Sequence, residues 1–479
     1  MEDKERGRFA PMHSYAIIVA ELNMRILLLN PPRQRAQTMQ AGYTFSPALT
    51  CLSAILKQAG YSPRIIDLFD SNDWDGMTET LRGESADVIG ITCLTNTRMY
   101  VLRLAEIAKE LNPGAVVIVG GAHPTVMYEQ MLENPAVDVV VLGEGDTTFR
   151  NLIEAIETKT GLHGINGIAY RSGGRVVRTE PQPLVSDLDS LPMPDFYHLR
   201  EISEDRPTRT GISIGRGCPY NCQFCASSSV WGSTYRSKSP KRVADEIEFV
   251  LAQSGDGVIF VGDDMIGVTE AATTEFCEEI LVRGLDFKWY ANARVDSVSE
   301  NLLALLKRAG CTMICYGIES GSPRILKTIN KRITVDQVKR AFHLTHKVGI
   351  ACQATVMVGN PGDDMDTINE TEALLDETRP DHLWVSYATL YPGTGLYDLA
   401  KQEGLIDDTY WESDGVAPVY LGSMSLPRMF YHKWRLIYHQ ARRKGDMLRF
   451  ARSLLNELKP LRVMAGLKMS RKGLTQNRI

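Results

Sequence analysis

The sequence predicts an α/β protein in two successive parallel-sheet units: a doubly wound sheet first, then a partial barrel of six βα units, ending in a helical extension. Three observations carry this. Short, β-branched apolar runs recur along the 479 residues with amphipathic helical stretches between them, as parallel sheets covered on both faces require. The strand–helix alternation occurs twice, separated by a polar, proline-punctuated stretch, and the length is too great for one ordinary core. After about residue 400 the strand signals stop and bases interleave with apolar residues at helical spacing.

In the first series the strand runs are Arg25–Leu29, Arg64–Leu68, Val88–Thr92, Ala115–Val119 and Val137–Leu142, with helices over Ser46–Gln58, Arg98–Leu111 and Thr147–Glu157. Ligands of such sheets bind at the carboxyl ends of the strands. There the chain carries Asn30-Pro31-Pro32, Thr92 to Thr97, Gly120-Gly121-Ala122-His123-Pro124 and Gly143-Glu144-Gly145-Asp146. Any one of these is an ordinary βα turn; four on one edge, with glycines that let a bulky ligand reach the backbone, predict a binding rim. Gly167–Tyr170 and Arg175–Arg178 read as a hairpin around Gly173-Gly174, followed by a linker rich in Asp and Pro.

The second series has strands at Gly211–Gly215, Gly257–Gly262, Lys288–Ala291, Met313–Ile318, Ala351–Val358 and His382–Leu390. Its helices are Lys241–Gln253, Glu270–Arg283, Asn301–Ala309 and Val335–Lys347. Strand ends of a parallel barrel converge on one site. Polar or glycine-bearing loops follow: Asp263 and Asp264, Asn292 to Asp296, Glu319-Ser320-Gly321, Gly359-Asn360-Pro361-Gly362 and Tyr391-Pro392-Gly393-Thr394.

The loop after the first of these strands holds Cys218, Cys222 and Cys225 in Arg216-Gly-Cys-Pro-Tyr-Asn-Cys-Gln-Phe-Cys-Ala226. Three thiols cannot pair as disulfides, and a closed zinc site wants a fourth ligand that is absent nearby. Three thiolates this close suit three irons of a 4Fe–4S cube, leaving the fourth iron open. The remaining cysteines sit singly in apolar patterns and read as core.

This triplet resembles the signature of the radical S-adenosylmethionine (SAM) enzymes, and the four loops of the first unit together resemble the cobalamin-binding domain that precedes many of them. The resemblance implies a 4Fe–4S cluster on Cys218, Cys222 and Cys225, with SAM on the open iron, cleaved to a 5′-deoxyadenosyl radical. It assigns SAM contacts to Phe224, Asp263, Arg294, Glu319, Ser320, Gly359 and Tyr391. It assigns cobalamin contacts to Asn30, Pro31, Pro32, Thr92, Thr95, Gly120, Gly121, His123, Pro124, Gly143, Glu144 and Gly145. The Asp-x-His-x-x-Gly run through which many cobalamin proteins give a histidine to cobalt is missing, so His123 is expected at the cofactor's edge. Arg236 and Lys238 are expected to face corrin, cluster or solvent.

The implied domains are an N-terminal tail (1–23), a cobalamin-binding domain (24–164), a linker with the hairpin (165–207), a radical SAM domain (208–400) and a basic helical extension (401–479). The implied activity is methylation of an unactivated carbon or phosphorus centre, the substrate radical taking methyl from methylcobalamin. Oxidative cyclisation without methyl transfer is the alternative, and a sensor without catalysis a third reading. An external electron donor such as flavodoxin or ferredoxin and a small-molecule or lipid-like substrate go with either enzyme.

Composition agrees with a cytoplasmic enzyme: 44% hydrophobic, 23% charged, net charge −5, no run long enough to span a bilayer, no signal-peptide pattern and no known nucleic-acid module. Residues 428–479 differ, with fourteen Lys and Arg against two acids. Such a segment either lies on a membrane surface or covers the acidic barrel.

Overall fold

A computed structural model describes residues 24–32, 46–71, 73–196, 211–254, 258–448, 450–455 and 457, apart from the side chains of 253, 254, 258 and 262–264. The expected tail (1–23) and part of the linker therefore lie outside the described residues. In the first unit five parallel strands, β1 (Ile26–Asn30), β2 (Arg64–Asp67), β3 (Val88–Thr92), β4 (Val116–Gly120) and β5 (Val139–Val141), run in the order β2-β1-β3-β4-β5. Helices α1 (Pro47–Gln58), α2 (Trp74–Arg82), α3 (Arg98–Leu111), α4 (Ala122–Val126), α5 (Tyr128–Glu133) and α6 (Gly145–Thr158) connect and cover them. The strands are buried on both faces because each alternates between two apolar layers: Leu28, Val88 and Ile118 on one side, Leu29, Ile89 and Val117 on the other. Strand order reverses between β1 and β3, and that switch point opens a crevice at the carboxyl edge.

The hairpin expected in the linker is part of this sheet. Strands β6 (Ile168–Ser172) and β7 (Arg175–Arg178) add antiparallel to β5, extending the sheet to seven strands. The physical reason is the edge: Val139 to Val141 need a ladder partner, and Ile168 and Ala169 supply one with fully buried side chains.

The second unit is an open six-stranded sheet in the order β15-β14-β13-β12-β11-β8, all pairs parallel. Its strands are β8 (Gly211–Ile212), β11 (Val258–Ile266), β12 (Lys288–Ala293), β13 (Cys311–Glu319), β14 (Ala351–Val358) and β15 (His382–Tyr387). A two-residue ribbon, β9 (Gly215–Arg216) with β10 (Arg236–Ser237), brackets the cysteine loop and its helix α7 (Ser227–Trp231). Outer helices α8 (Pro240–Ser254), α9 (Glu270–Arg283), α10 (Glu300–Arg308), α11 (Pro323–Thr328), α12 (Val335–Lys347), α13 (Met365–Thr378) and α14 (Gly395–Gln402) follow. Apolar residues facing them, among them Ile259, Trp289, Ile314, Tyr316 and Val356, are at most 2% exposed. The lone buried cysteines Cys277, Cys311 and Cys352 belong to this core, and burial pushes each thiol up to about 12.

The basic extension begins with α15 (Leu426–Lys444), which packs on β15 and β14. Met429 and Leu436 enter the barrel's apolar core. Its cations are matched by α13: Arg435 and His439 both meet Glu372, the latter at 2.6 Å, and Arg443 meets Asp376 at 2.9 Å. Gln440 and Lys444 donate to the carbonyls of Pro380 and Asp381. Of the two expectations for this segment, covering the barrel is what α15 does. Deleting the chain from Leu426 should lower stability by on the order of 5 kcal/mol, since two or three large side chains leave the core. A urea midpoint unchanged from that of the intact protein would contradict this.

Candidate active site

The cysteine loop is shaped by glycine. Gly217 has φ +88°, and a Cβ there would stand 2.2 Å from the Thr234 carbonyl oxygen, so only glycine lets the loop leave β9 beside β10. Beyond it the backbone is tied on three sides. The Cys225 amide donates to the Cys222 carbonyl at 3.1 Å, the Gln223 amide to Ile329 at 3.0 Å, and the Leu396 amide to Gln223 at 2.7 Å. The Asn330 side chain donates to the Asn221 carbonyl at 2.6 Å. Cys218, Cys222 and Cys225 remain partly exposed, whereas most of the other cysteines are buried.

The three thiols, close in sequence and partly exposed, suit three irons of a cluster. Burial raises the Cys222 thiol, and the nearby Lys331 and Arg294 charges pull it back down.

Around this loop the barrel's strand ends bring two ion pairs. Glu319, at the end of β13, sits at φ +61° with its carboxylate 2.9 Å from the Lys331 ammonium, both side chains under 10% exposed. Lys331 also lies 5.6 Å above the Phe224 ring. Sequence reasoning missed Lys331, which carries no motif; the turn Asn330-Lys331-Arg332, with two left-handed residues, aims it back at β13.

Arg294, expected on the SAM carboxylate, has protein partners in this structure. Its guanidinium binds Asp296 through two 2.9 Å bonds, caps the carbonyls of Lys331 and Arg332, and stacks 3.6 Å over Tyr220. With its donors so used, it positions the cysteine loop and the Lys331 turn. Ser320 is likewise turned inward, to Thr371 and the Ser322 amide. The Asp263 side chain lies outside the described residues.

Two glycine loops complete this rim. Gly359 has φ +89° against Met429, and the Asp363 carboxylate accepts from the Gly359 and Asn360 amides at 2.9 and 2.8 Å. Tyr391, 38% exposed, precedes the Gly393 turn, whose carbonyl accepts from the Ser229 hydroxyl on α7.

On the facing edge of the first sheet, Gly121 has φ +120°, and a Cβ would meet the Cys93 carbonyl at 2.5 Å. Gly143 (φ +71°) donates its amide to the Thr125 hydroxyl at 3.0 Å, and a Cβ there would stand 3.9 Å from the Val230 carbonyl. Pro31, Pro32, Thr95 and Pro124 are buried, with Thr92 half-buried and Gly120 paired to it. Asn30 is spent on Asp67 at 3.0 Å and so ties β1 to β2. Glu144, also expected at a cofactor, is buried against Arg236 at 2.5 Å and accepts from the Val185 amide. Lys238 pairs with Glu246 at 2.6 Å, so neither base reaches for corrin or cluster. Gly145 opens α6.

His123 is fully buried. Nδ1 meets Thr95 at 3.3 Å, Nε2 meets Gln130 at 3.2 Å, and the ring stands edge-on to Trp411. Arg98 fastens that tryptophan's segment by donating to the carbonyls of Thr95, Trp411, Ser413 and Gly415.

Residues 40–153 match the family described as B12 binding domain, and residues 212–375 match the Radical SAM superfamily. An uncharacterized methyltransferase of Pyrococcus horikoshii is 31% identical over 395 residues, 81% of this chain and 85% of the relative. The chain belongs to the cobalamin-binding radical SAM family. An anaerobic magnesium-protoporphyrin IX monomethyl ester cyclase of Rubrivivax gelatinosus is 33% identical over 389 residues, 78% of this chain and 69% of that one. The same fold occurs in the radical SAM methyltransferase TsrM of Kitasatospora setae, solved with cobalamin and a 4Fe–4S cluster (TM-score 0.68, 20% identity, covering 80% of this chain and 75% of that one). A cluster, SAM and cobalamin are the cofactors of this radical SAM enzyme, and the residues present suit them: three partly exposed thiols in one loop, buried Glu319 and Lys331, and a glycine-lined rim at a switch point.

Both ring nitrogens of His123 are engaged within the protein, which agrees with the expectation that it gives cobalt no ligand. In the His123→Gln variant the cobalt(II) resonance should keep whatever nitrogen splitting the parent shows. Burial also lowers this imidazole from 6.5 to about 4. The folded state keeps it neutral where the unfolded chain takes up a proton. Its contribution to stability is therefore whole above pH 6.5 and is lost as pH falls through about 4. The variant should show a shallower fall in urea midpoint between pH 7 and pH 4.5; an identical slope would contradict the assignment.

Proposed function

We propose that the chain methylates an unactivated carbon or phosphorus centre of a small molecule. When bound, the cluster, SAM and cobalamin together supply a carbon radical and a transferable methyl group. The protein's part is placement. Cys218, Cys222 and Cys225 would hold three irons, and Glu319 would take the SAM ammonium, with Lys331 keeping that carboxylate aimed. The Gly359 and Tyr391 loops would border the adenosyl group, and the Gly120–Gly121 and Gly143 loops the corrin. Burial around Arg98 and Trp411 keeps water from the rim.

The observation that carries this reading is the closeness of the two rims. Helix α7, which continues the cysteine loop, packs on α4, and its Val230 carbonyl would stand 3.9 Å from a Cβ at Gly143. Groups held at the two rims would thereby be brought near one another. Anaerobic incubation with methyl-labelled SAM and a small-molecule extract should place the label in a product. Formation of 5′-deoxyadenosine with no labelled product favours the second reading, a ring-forming oxidation, which the 33% identical cyclase supports. Electrons would come from an external donor such as flavodoxin or ferredoxin. No helix among the described residues is long and apolar enough to cross a membrane, and a cytoplasmic enzyme fits that. A lipid-like substrate becomes the better reading only if the intact enzyme binds anionic vesicles in a salt-sensitive way.

A further inference from the structure

Two acids of the cobalamin rim and two bases of the cysteine loop meet in one buried lattice that the mechanism above does not use. Arg216 leaves β9 two residues before Cys218, and its guanidinium grips Asp146 with two bonds, at 2.6 and 3.1 Å. Arg236, its ladder partner on β10, holds Glu144 at 2.5 and 3.0 Å. Arg216 approaches Glu144 as well, at 3.8 Å. The backbone of Val185 closes the group, its amide donating to Glu144 and its carbonyl accepting from Arg236 at 2.7 Å. All four side chains are between 3% and 15% exposed.

Planar forks of this kind fix angle as well as distance, and burial shields them from salt. On one side of the lattice stands the Gly143 loop with the first turn of α6; on the other stands the loop whose three thiols take the metal. Metal ligation adds a further constraint to a loop otherwise held by hydrogen bonds and the Arg294–Tyr220 stack. Whatever fixes Cys218 fixes Arg216, and Arg216 fixes Asp146.

We propose that Glu144, Asp146, Arg216 and Arg236 form a positioning link through which cluster assembly tightens cobalamin binding. The link rests on the reading that the Gly143 loop borders cobalamin and the three cysteines hold the cluster. Coupling between two sites is reciprocal and commonly amounts to about 5- to 150-fold in affinity.

The test is an anaerobic absorbance titration of hydroxocobalamin into the full-length protein, with and without reconstituted cluster, iron content being measured in each sample. Wild type should bind cobalamin at least about fivefold more tightly with the cluster present. Arg216→Lys keeps the charge and loses the fork; it should bind cobalamin like cluster-free wild type whether or not the cluster is there. Asp146→Asn is the second variant, with the same expectation. A purely structural role would weaken both forms alike and leave the ratio intact, which overturns the proposal, as does a ratio of one in wild type. Failure of wild type to take up iron or cobalamin at all overturns the underlying assignment of the loops, and the link falls with it.

Discussion

Replacing Cys218, Cys222 and Cys225 together by Ala abolishes the iron–sulfur absorbance and all reductive SAM cleavage, while cobalamin still binds. The first half follows from the donor set: three thiolates are the ligands, and no other thiol stands in the loop, since Cys277, Cys311 and Cys352 are buried in the core with raised pKa values. The second half follows from the architecture. One face of the seven-stranded sheet has an apolar core confined to the first unit, and the loop from Gly217 to Ala226 adds no residue to it. A full iron complement in the triple variant, measured by iron and sulfide analysis, would refute the cluster assignment. Loss of cobalamin together with iron would show that the first unit does not hold its shape alone.

Glu319→Gln should be the most damaging single polar change at the site. The Lys331 ammonium, 9% exposed and 2.9 Å from the carboxylate, would be left buried beside an amide. Breaking a buried pair from one side costs about 3–5 kcal/mol, far more than an exposed pair is worth. Stability and SAM affinity should both fall. A double-mutant cycle separates the two effects: Glu319→Gln with Lys331→Met should regain much of the stability, because no unpaired charge remains, without regaining SAM binding. Calorimetric titration with SAM and urea midpoints read the two quantities independently. If SAM binding returned along with stability, Glu319 would be a purely structural partner of Lys331.

The family, the order of its units and the cysteine triplet proposed to hold the cluster were legible in the sequence alone. Those features are local. A cysteine triplet, a strand's apolar run and a left-handed glycine state their chemistry within a few residues, and β14, α9 and α12 begin and end where the pattern says. The side-chain roles were decided by tertiary structure, because a cation's role depends on which acid meets it. Arg294, Arg236 and Lys238 read as ligand contacts until Asp296, Glu144 and Glu246 are found within 3 Å of them. Lys331 and Arg216 read as nothing until the turn after α11 and the β9–β10 ribbon aim them inward. Likewise the 168–178 hairpin looks like linker until the open edge of β5 claims it, and the basic helix α15 reads as either membrane face or barrel cover until Arg435 and Arg443 are found on Glu372 and Asp376 of α13. Pairing between residues tens of positions apart leaves no periodic trace in a single chain, so only the folded molecule could assign it.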